Sequence, residues 1–136
     1  MNQYLLDTNI CIHFIKGAYD LGSKIQKVGF QSCYISEITI AELLYGVENS
    51  SLERRSINLQ RVINLRTSFA ERVIPISQSL EEYAKQKAQL RKIGRRVEDF
   101  DIFIGSISII KNLILVTRNT KDFINMNGVR LENWID

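Results

Sequence analysis

Tyr4-Leu5-Leu6-Asp7-Thr8-Asn9-Ile10 is the stretch on which the fold turns. A short apolar run stops at the polar trio 7–9, and the pattern reopens with helical spacing through Ile10, Phe14 and Ile15. This is a buried strand feeding a helix, with the polar residues of the joint supplying the N-cap. Outward from it the same grammar repeats. Leu21, Ile25 and Val28 mark a second amphipathic helix, Cys33-Tyr34-Ile35-Ser36 a second strand, and Ile40, Leu43, Leu44 and Val47 the core face of a helix over 38–49.

Residues 52–70 read as a long basic helix with Leu59, Val62, Ile63 and Phe69 inward. Val73-Ile74-Pro75-Ile76 is a third strand that Pro75 assigns to an edge or an end. Ser77 or Ser79 caps the next helix, which runs to about Ile93 and stops at Gly94. A helix over 98–111, a buried strand over Leu113–Thr117, and a closing segment through Asp122-Phe123, Val129–Leu131 and Trp134 complete the chain. Strands separated by helices give a three-layer α/β/α sandwich around a mainly parallel sheet. In such sheets ligands bind at the carboxyl ends of the strands. Asp7 directly follows the first strand, and Arg118 to Asp122 follow the last long one.

The 136 residues suit one domain, 1–136, and a composition 45% hydrophobic and 24% charged is that of a globular protein. No apolar run approaches the roughly 20 residues of a membrane span, and Asp7 and Asn9 interrupt any secretory signal. A cytoplasmic protein with no membrane partner is expected. Two cysteines, Cys11 and Cys33, make no disulfide scaffold, and the lone His13 excludes a histidine-rich metal cage. His13 reads as a helix-surface residue. Carboxylates remain as the catalytic currency.

Charge is segregated. Residues 1–50 hold three Lys/Arg against five Asp/Glu, residues 51–96 eleven against four, and residues 97–136 four against six. A basic middle between acidic ends suits a polyanion held near a cluster of acids, although solvated helices would also carry such charges. Asp7 fits both an N-cap and a crevice acid. Asp101 lies in a polar seam with Gly105, Ser108 and Asn112, between two apolar faces of its helix. A carboxylate buried there is costly unless compensated, and a bound cation would compensate it. Glu98 and Asp99 read as capping or first-turn acids, with Asp99 a reserve candidate. Glu42 falls opposite its helix's apolar stripe and on periodicity alone is solvated. Asp122 sits in a turn on the crevice side.

Four separated features converge on one crevice: LLDTN at 5–9, SEITIAELLYG at 36–46, DFDIFIGS at 99–106 and LVTRNTKDF at 115–123. Together they resemble the PIN-domain ribonucleases, most closely the VapC toxins of bacterial toxin–antitoxin pairs, over nearly the whole chain. The resemblance implies a Mg²⁺ (or Mn²⁺) site with Asp7, Glu42 and Asp101 as metal-binding acids and Asp122 as a further catalytic acid. Many relatives carry a fourth acid where this chain has Asn119; either Asp122 takes its place or the site works with three acids. Gly105 replaces the family's usual Ala. The resemblance further implies cleavage of RNA to 5′-phosphate and 3′-hydroxyl ends, a cognate antitoxin in a groove beside the site, and a homodimer. Ile10, Phe14, Ile15 and the Leu43–Val47 segment are candidates for these protein contacts or for plain core.

Thr8, Asn9, Thr117 and Asn119 would hold waters or a substrate phosphate. Lys87, Arg91 and Arg95 would form one phosphate-binding stripe if their helix continues through Gly94, with Arg54, Arg55, Arg61 and Arg66 adding charge. Two other readings compete: a noncatalytic RNA-binding or interaction domain, and a phosphohydrolase with Asp7 as nucleophile. The latter usually has a second Asp two residues on, where this chain has Asn9.

Overall fold

The computed structural model describes residues 1–136. Its single sheet has five parallel strands, β1 (Tyr4–Leu6), β2 (Cys33–Ser36), β3 (Val73–Ile74), β4 (Ile114–Val116) and β5 (Arg130–Glu132), in the order β3-β2-β1-β4-β5. Seven helices connect them: α1 (Thr8–Ile15), α2 (Leu21–Val28), α3 (Glu37–Glu48), α4 (Leu52–Phe69), α5 (Leu80–Lys92), α6 (Asp99–Ile110) and the one-turn α7 (Thr120–Phe123). This is a three-layer α/β/α sandwich. No helix is long and apolar enough to cross a membrane.

Strand alternation sorts the two core layers. Tyr4, Leu6, Cys33, Ile35, Ile114 and Val116 face α1–α4, packing on Ile10, Leu21, Ile25, Leu43, Val62 and Phe69. Leu5 and Leu115 face the other way, against Leu90, Ile102, Ile104, Ile107 and Phe123 of α5–α7. The chain moves from β1 to β2 on one side and reaches β4 on the other, so the strand order reverses at the β1/β4 boundary. The crevice opens at that boundary, at the carboxyl ends of β1 and β4.

Several local expectations change. On α4 the buried residues are Val62, Leu65 and Phe69, while Leu59 and Ile63 are 39% and 46% exposed. The helix touches the core along one narrow line, so apolar residues one step off that line stay in solvent. Ser79 takes the N-cap position of α5 but makes no capping bond with its side chain: residues 76–79 form a 3₁₀ turn in which Ser79 Oγ donates to the Ile76 carbonyl at 2.8 Å. Phe100, on an apolar face of α6, is half-exposed at the start of the helix. As the sequence leads one to expect, helix α5 ends at Lys92, just before Gly94, whose φ is +70°. Cys11 and Cys33 are free and buried, and burial pushes the Cys33 thiol up to about 11.

Arg72 accounts for one charge of the basic middle in an unexpected way. It is 7% exposed, its guanidinium donates to the carbonyls of Phe30 (2.7 Å) and Cys33, and it lies 4.4 Å from the centroid of the Phe30 ring. It fastens α4 to the start of β2 and is no surface charge.

Candidate functional site

Asp7 leaves β1 in extended conformation and caps α1, accepting the Thr8 backbone N–H on Oδ1 at 2.8 Å. Its Oδ2 accepts the Thr117 hydroxyl (2.7 Å) and the Asn9 amide (3.2 Å). A carboxylate offers about four lone-pair positions, so one remains on Oδ1. The group is 4% exposed. Burial pushes its pKa up, against the pull of these hydrogen bonds, and the charge of Glu42 adds to the rise.

Thr117 directly follows β4, and its hydroxyl is fully used. It donates to Asp7 and accepts from the Asn9 amide (3.2 Å) and from the backbone N–H of Asn119 (3.0 Å). Asn9 closes the loop by accepting the Arg118 backbone N–H at 3.1 Å. The two strand ends that define the crevice are therefore tied by side chains as well as by the Asp7 N–H to Val116 carbonyl bond at 2.9 Å.

Glu42 is half-buried, contrary to its position on the helical wheel. Thr8 Oγ1 donates to its Oε1 at 2.6 Å, which leaves Thr39 as the donor in the 3.0 Å contact between the Thr8 and Thr39 hydroxyls. Sequence reasoning missed the fully buried Thr39. The signal was available in its position one turn before Glu42 on the same face.

Asp101 stands half-buried in the first turn of α6. Its pKa is raised to about 7 by burial first, then by the charges of Asp7, Asp122, Glu42 and Glu98. Of the four charges that act on Asp101, that of Asp7 weighs most and that of Glu98 least. No three His, Cys, Asp or Glu side chains converge closely enough to enclose a metal on their own. The donor set is nonetheless all hard oxygen, which suits Mg²⁺ or Mn²⁺, and Mg²⁺ characteristically keeps several waters and takes few protein ligands.

Asp99 points elsewhere. It accepts hydrogen bonds from Lys87 (2.8 Å) and Tyr83 (2.7 Å), which hold its carboxyl below its ordinary value. Because α5 stops short of Gly94, the stripe of Lys87, Arg91 and Arg95 is not helical throughout. The chain folds back instead, with the Arg95 N–H donating to the Leu90 carbonyl (2.9 Å). All three still line one cavity of about 460 Å³, together with Arg96, Glu98 and Asp99. A separate, mostly apolar cavity of about 300 Å³ lies beside Glu42 and is lined by Ile12, Ile15, Leu43, Val47, Arg61 and Val62. Ile10, one of the candidate contact residues, is fully buried core.

Gly105 is explained by packing. A Cβ there would stand 2.6 Å from the Cε and Sδ of buried Met126, so this chain fills with Met126 the space an alanine methyl would take.

Residues 4–129 match the PIN domain family. The chain is 33% identical over 137 residues to the tRNA(fMet)-specific endonuclease VapC of Shigella flexneri, covering 98% of this chain and 99% of that protein. It is 33% identical over 139 residues to ribonuclease VapC2 of Haemophilus influenzae, covering 99% and 100%. Among solved structures, a chain of the DNA-bound VapBC complex from Salmonella typhimurium superposes with a TM-score of 0.86 at 29% identity, covering 98% of this chain and 99% of that one. With these similarities spanning the chain, it belongs to the PIN-domain family, among the VapC-type toxins of toxin–antitoxin systems.

Proposed function

We propose that this chain is a Mg²⁺-dependent endoribonuclease, active as a toxin and held in check by a cognate antitoxin. The observation that carries the reading is the shared field of Asp7, Glu42, Asp101 and Asp122 at the strand-order reversal. Like charges this close repel one another and raise each other's pKa, and a divalent cation reverses that penalty. Asp7, Asp101 and Glu42 would hold the ion, with Asp122 completing the acidic field. When bound, the ion lowers the pKa of a water and offsets charge developing on the phosphoryl oxygens.

The rest of the mechanism belongs to the chain. Thr117 and Asn9 fix the rotamer of Asp7 and leave one Oδ1 position open. Thr8 fixes Glu42 through Oε1, so Oε2 is turned to orienting the attacking water. The backbone and side chain of Asn119 border the same turn and hold waters or a substrate phosphate. Lys87, Arg91, Arg95 and Arg96 receive the RNA backbone beside the acids, and scission leaves 5′-phosphate and 3′-hydroxyl ends. The apolar cavity beside Glu42 suits an antitoxin segment that covers the site, and a homodimer accords with the resemblance. The name of the Shigella flexneri relative makes an initiator transfer RNA the first substrate to try.

The test is cleavage of transfer RNA and of a generic single-stranded RNA with Mg²⁺, with Mn²⁺ and with EDTA. Cleavage with either ion, lost in EDTA and lost in Asp7→Asn and Asp101→Asn proteins that keep their circular dichroism, supports the proposal. RNA binding without cleavage in any condition would point to the noncatalytic reading. An acid-labile phosphoenzyme at Asp7 would point to the phosphohydrolase.

A further inference from the structure

Arg118 is the first residue beyond Thr117, and its backbone N–H is already bound to Asn9, so its Cα is fixed at the lip of the crevice. Its guanidinium, though partly exposed, is engaged at all three nitrogens. Nε and Nη2 fork onto the two carboxylate oxygens of Asp136 at 3.2 and 3.3 Å, Nη1 donates to the Tyr19 hydroxyl at 3.3 Å, and Cζ lies 5.3 Å from the Tyr19 ring centroid. Asp136 is brought there by a docked tail. Trp134 packs edge-on against Tyr4 (5.2 Å), its carbonyl accepts from Lys24, and Asn133 Oδ1 accepts the N–H groups of Ile135 and Asp136.

A planar fork that fits a carboxylate fits two oxygens of a phosphate equally well. The arginine and aspartate side chains are 39% and 57% exposed, and exposed ion pairs are held weakly. A phosphodiester arriving at the crevice can therefore take Asp136's place while Tyr19 and Asn9 keep the arginine aimed. The position is also informative. The basic cavity lies on the α5–α6 side of the sheet, whereas the tail packs with the α1–α4 layer and Tyr19 stands edge-on to His13 of α1. Cations on both sides of the acids would grip the strand on either side of the phosphate being cut.

We propose that Arg118 is a substrate-phosphate anchor on the tail side of the crevice, and that the Asp136 carboxylate occupies its fork until RNA displaces it. This rests on the nuclease reading.

The experiment measures affinity of the full chain for a short single-stranded RNA in EDTA, and KM and kcat for its cleavage with Mg²⁺. Arg118→Gln is expected to weaken binding about tenfold, to lower the salt slope by about 0.7, and to raise KM with kcat nearly unchanged. Asp136→Asn is expected to tighten binding about two- to fivefold. The double variant should behave as Arg118→Gln alone, because removing the competitor matters only while the fork is present. A merely structural pair would instead give two variants with lowered Tm and unchanged affinity. Cleavage by the natural protein with unchanged affinity and KM in Arg118→Gln would overturn the anchor and leave the nuclease reading intact. RNA binding without cleavage would overturn the nuclease reading, and with it the proposal that rests on it.

Discussion

Thr117 donates its hydroxyl proton to Asp7 at 2.7 Å while accepting from Asn9 and from the Asn119 N–H, so one buried hydroxyl holds the ends of β1 and β4 in register at the crevice. Thr117→Val keeps the shape and removes all three bonds. It leaves the Asn119 N–H unpaired and withdraws one of Asp7's three donors. The expected cost is about 1–3 kcal/mol in chemical denaturation and a 10- to 100-fold loss of cleavage. Thr117→Ser keeps the hydroxyl and should retain most of both. A valine variant as active as the natural protein would show that Asp7 needs no such support.

The joint around Asp7 is legible in the sequence because an apolar run meets a polar trio before helical spacing begins, and all of that information is local. The fate of Glu42 is not local. A helical wheel places it in water, and only Thr8, thirty-four residues earlier, draws it inward. Leu59 and Ile63 fail for a related reason, since periodicity fixes a helix's apolar face but not how wide a strip its neighbours cover. Arg72 looks like one more surface cation until Phe30 and Cys33 supply the carbonyls that bury it. Arg118 escapes notice because its partners, Tyr19 and Asp136, lie at remote points of the chain.

Asp101 makes the metal-free protein more stable in mild acid than in base. Its carboxyl titrates near 7 when folded and near 3.8 as an isolated group. Between those values the folded protein keeps a proton that the unfolded chain has released, so stability falls as pH rises from about 4 to about 7 and stays low above it. Asp7 is shifted the same way and adds to the slope. In EDTA, Asp101→Asn should flatten much of the slope and gain about 1–2 kcal/mol at pH 8. That is well under the ~4 kcal/mol of a fully buried group, because solvent reaches part of this one. Adding Mg²⁺ to the natural protein should raise Tm more at pH 8 than at pH 5. Equal Tm gains at both pH values would count against binding of the ion by these acids.

The basic cavity makes a graded prediction about salt. Arg91, Arg95 and Arg96 line it, and replacing any one by alanine should lower the slope of log affinity for single-stranded RNA against log salt by about 0.7. Lys87 should count for less, because Asp99 and Tyr83 already engage its ammonium. Asp99→Asn should then tighten RNA binding, by freeing that ammonium. Filter binding at several potassium chloride concentrations reads every slope. Arginine variants whose slopes all equal that of the natural protein would move the RNA path away from this cavity.

Arg72 separates basic residues that hold the fold from those that meet RNA. Its charge is buried without a carboxylate and is satisfied by backbone carbonyls and by the faces of Phe30 and Phe69 at 4.4 and 5.2 Å. Arg72→Ala would leave the Phe30 and Cys33 carbonyls short of a donor and open a cavity beside the two rings, at an expected cost of about 3–5 kcal/mol. Arg72→Lys keeps the charge but cannot present a planar face to both rings while donating to both carbonyls, so it should recover only part of that loss. Neither variant should change the salt slope of RNA binding, provided binding is measured where the protein remains folded. A change in slope without a change in denaturation midpoint would assign Arg72 to the nucleic-acid surface, against its burial beneath Phe30 and Phe69.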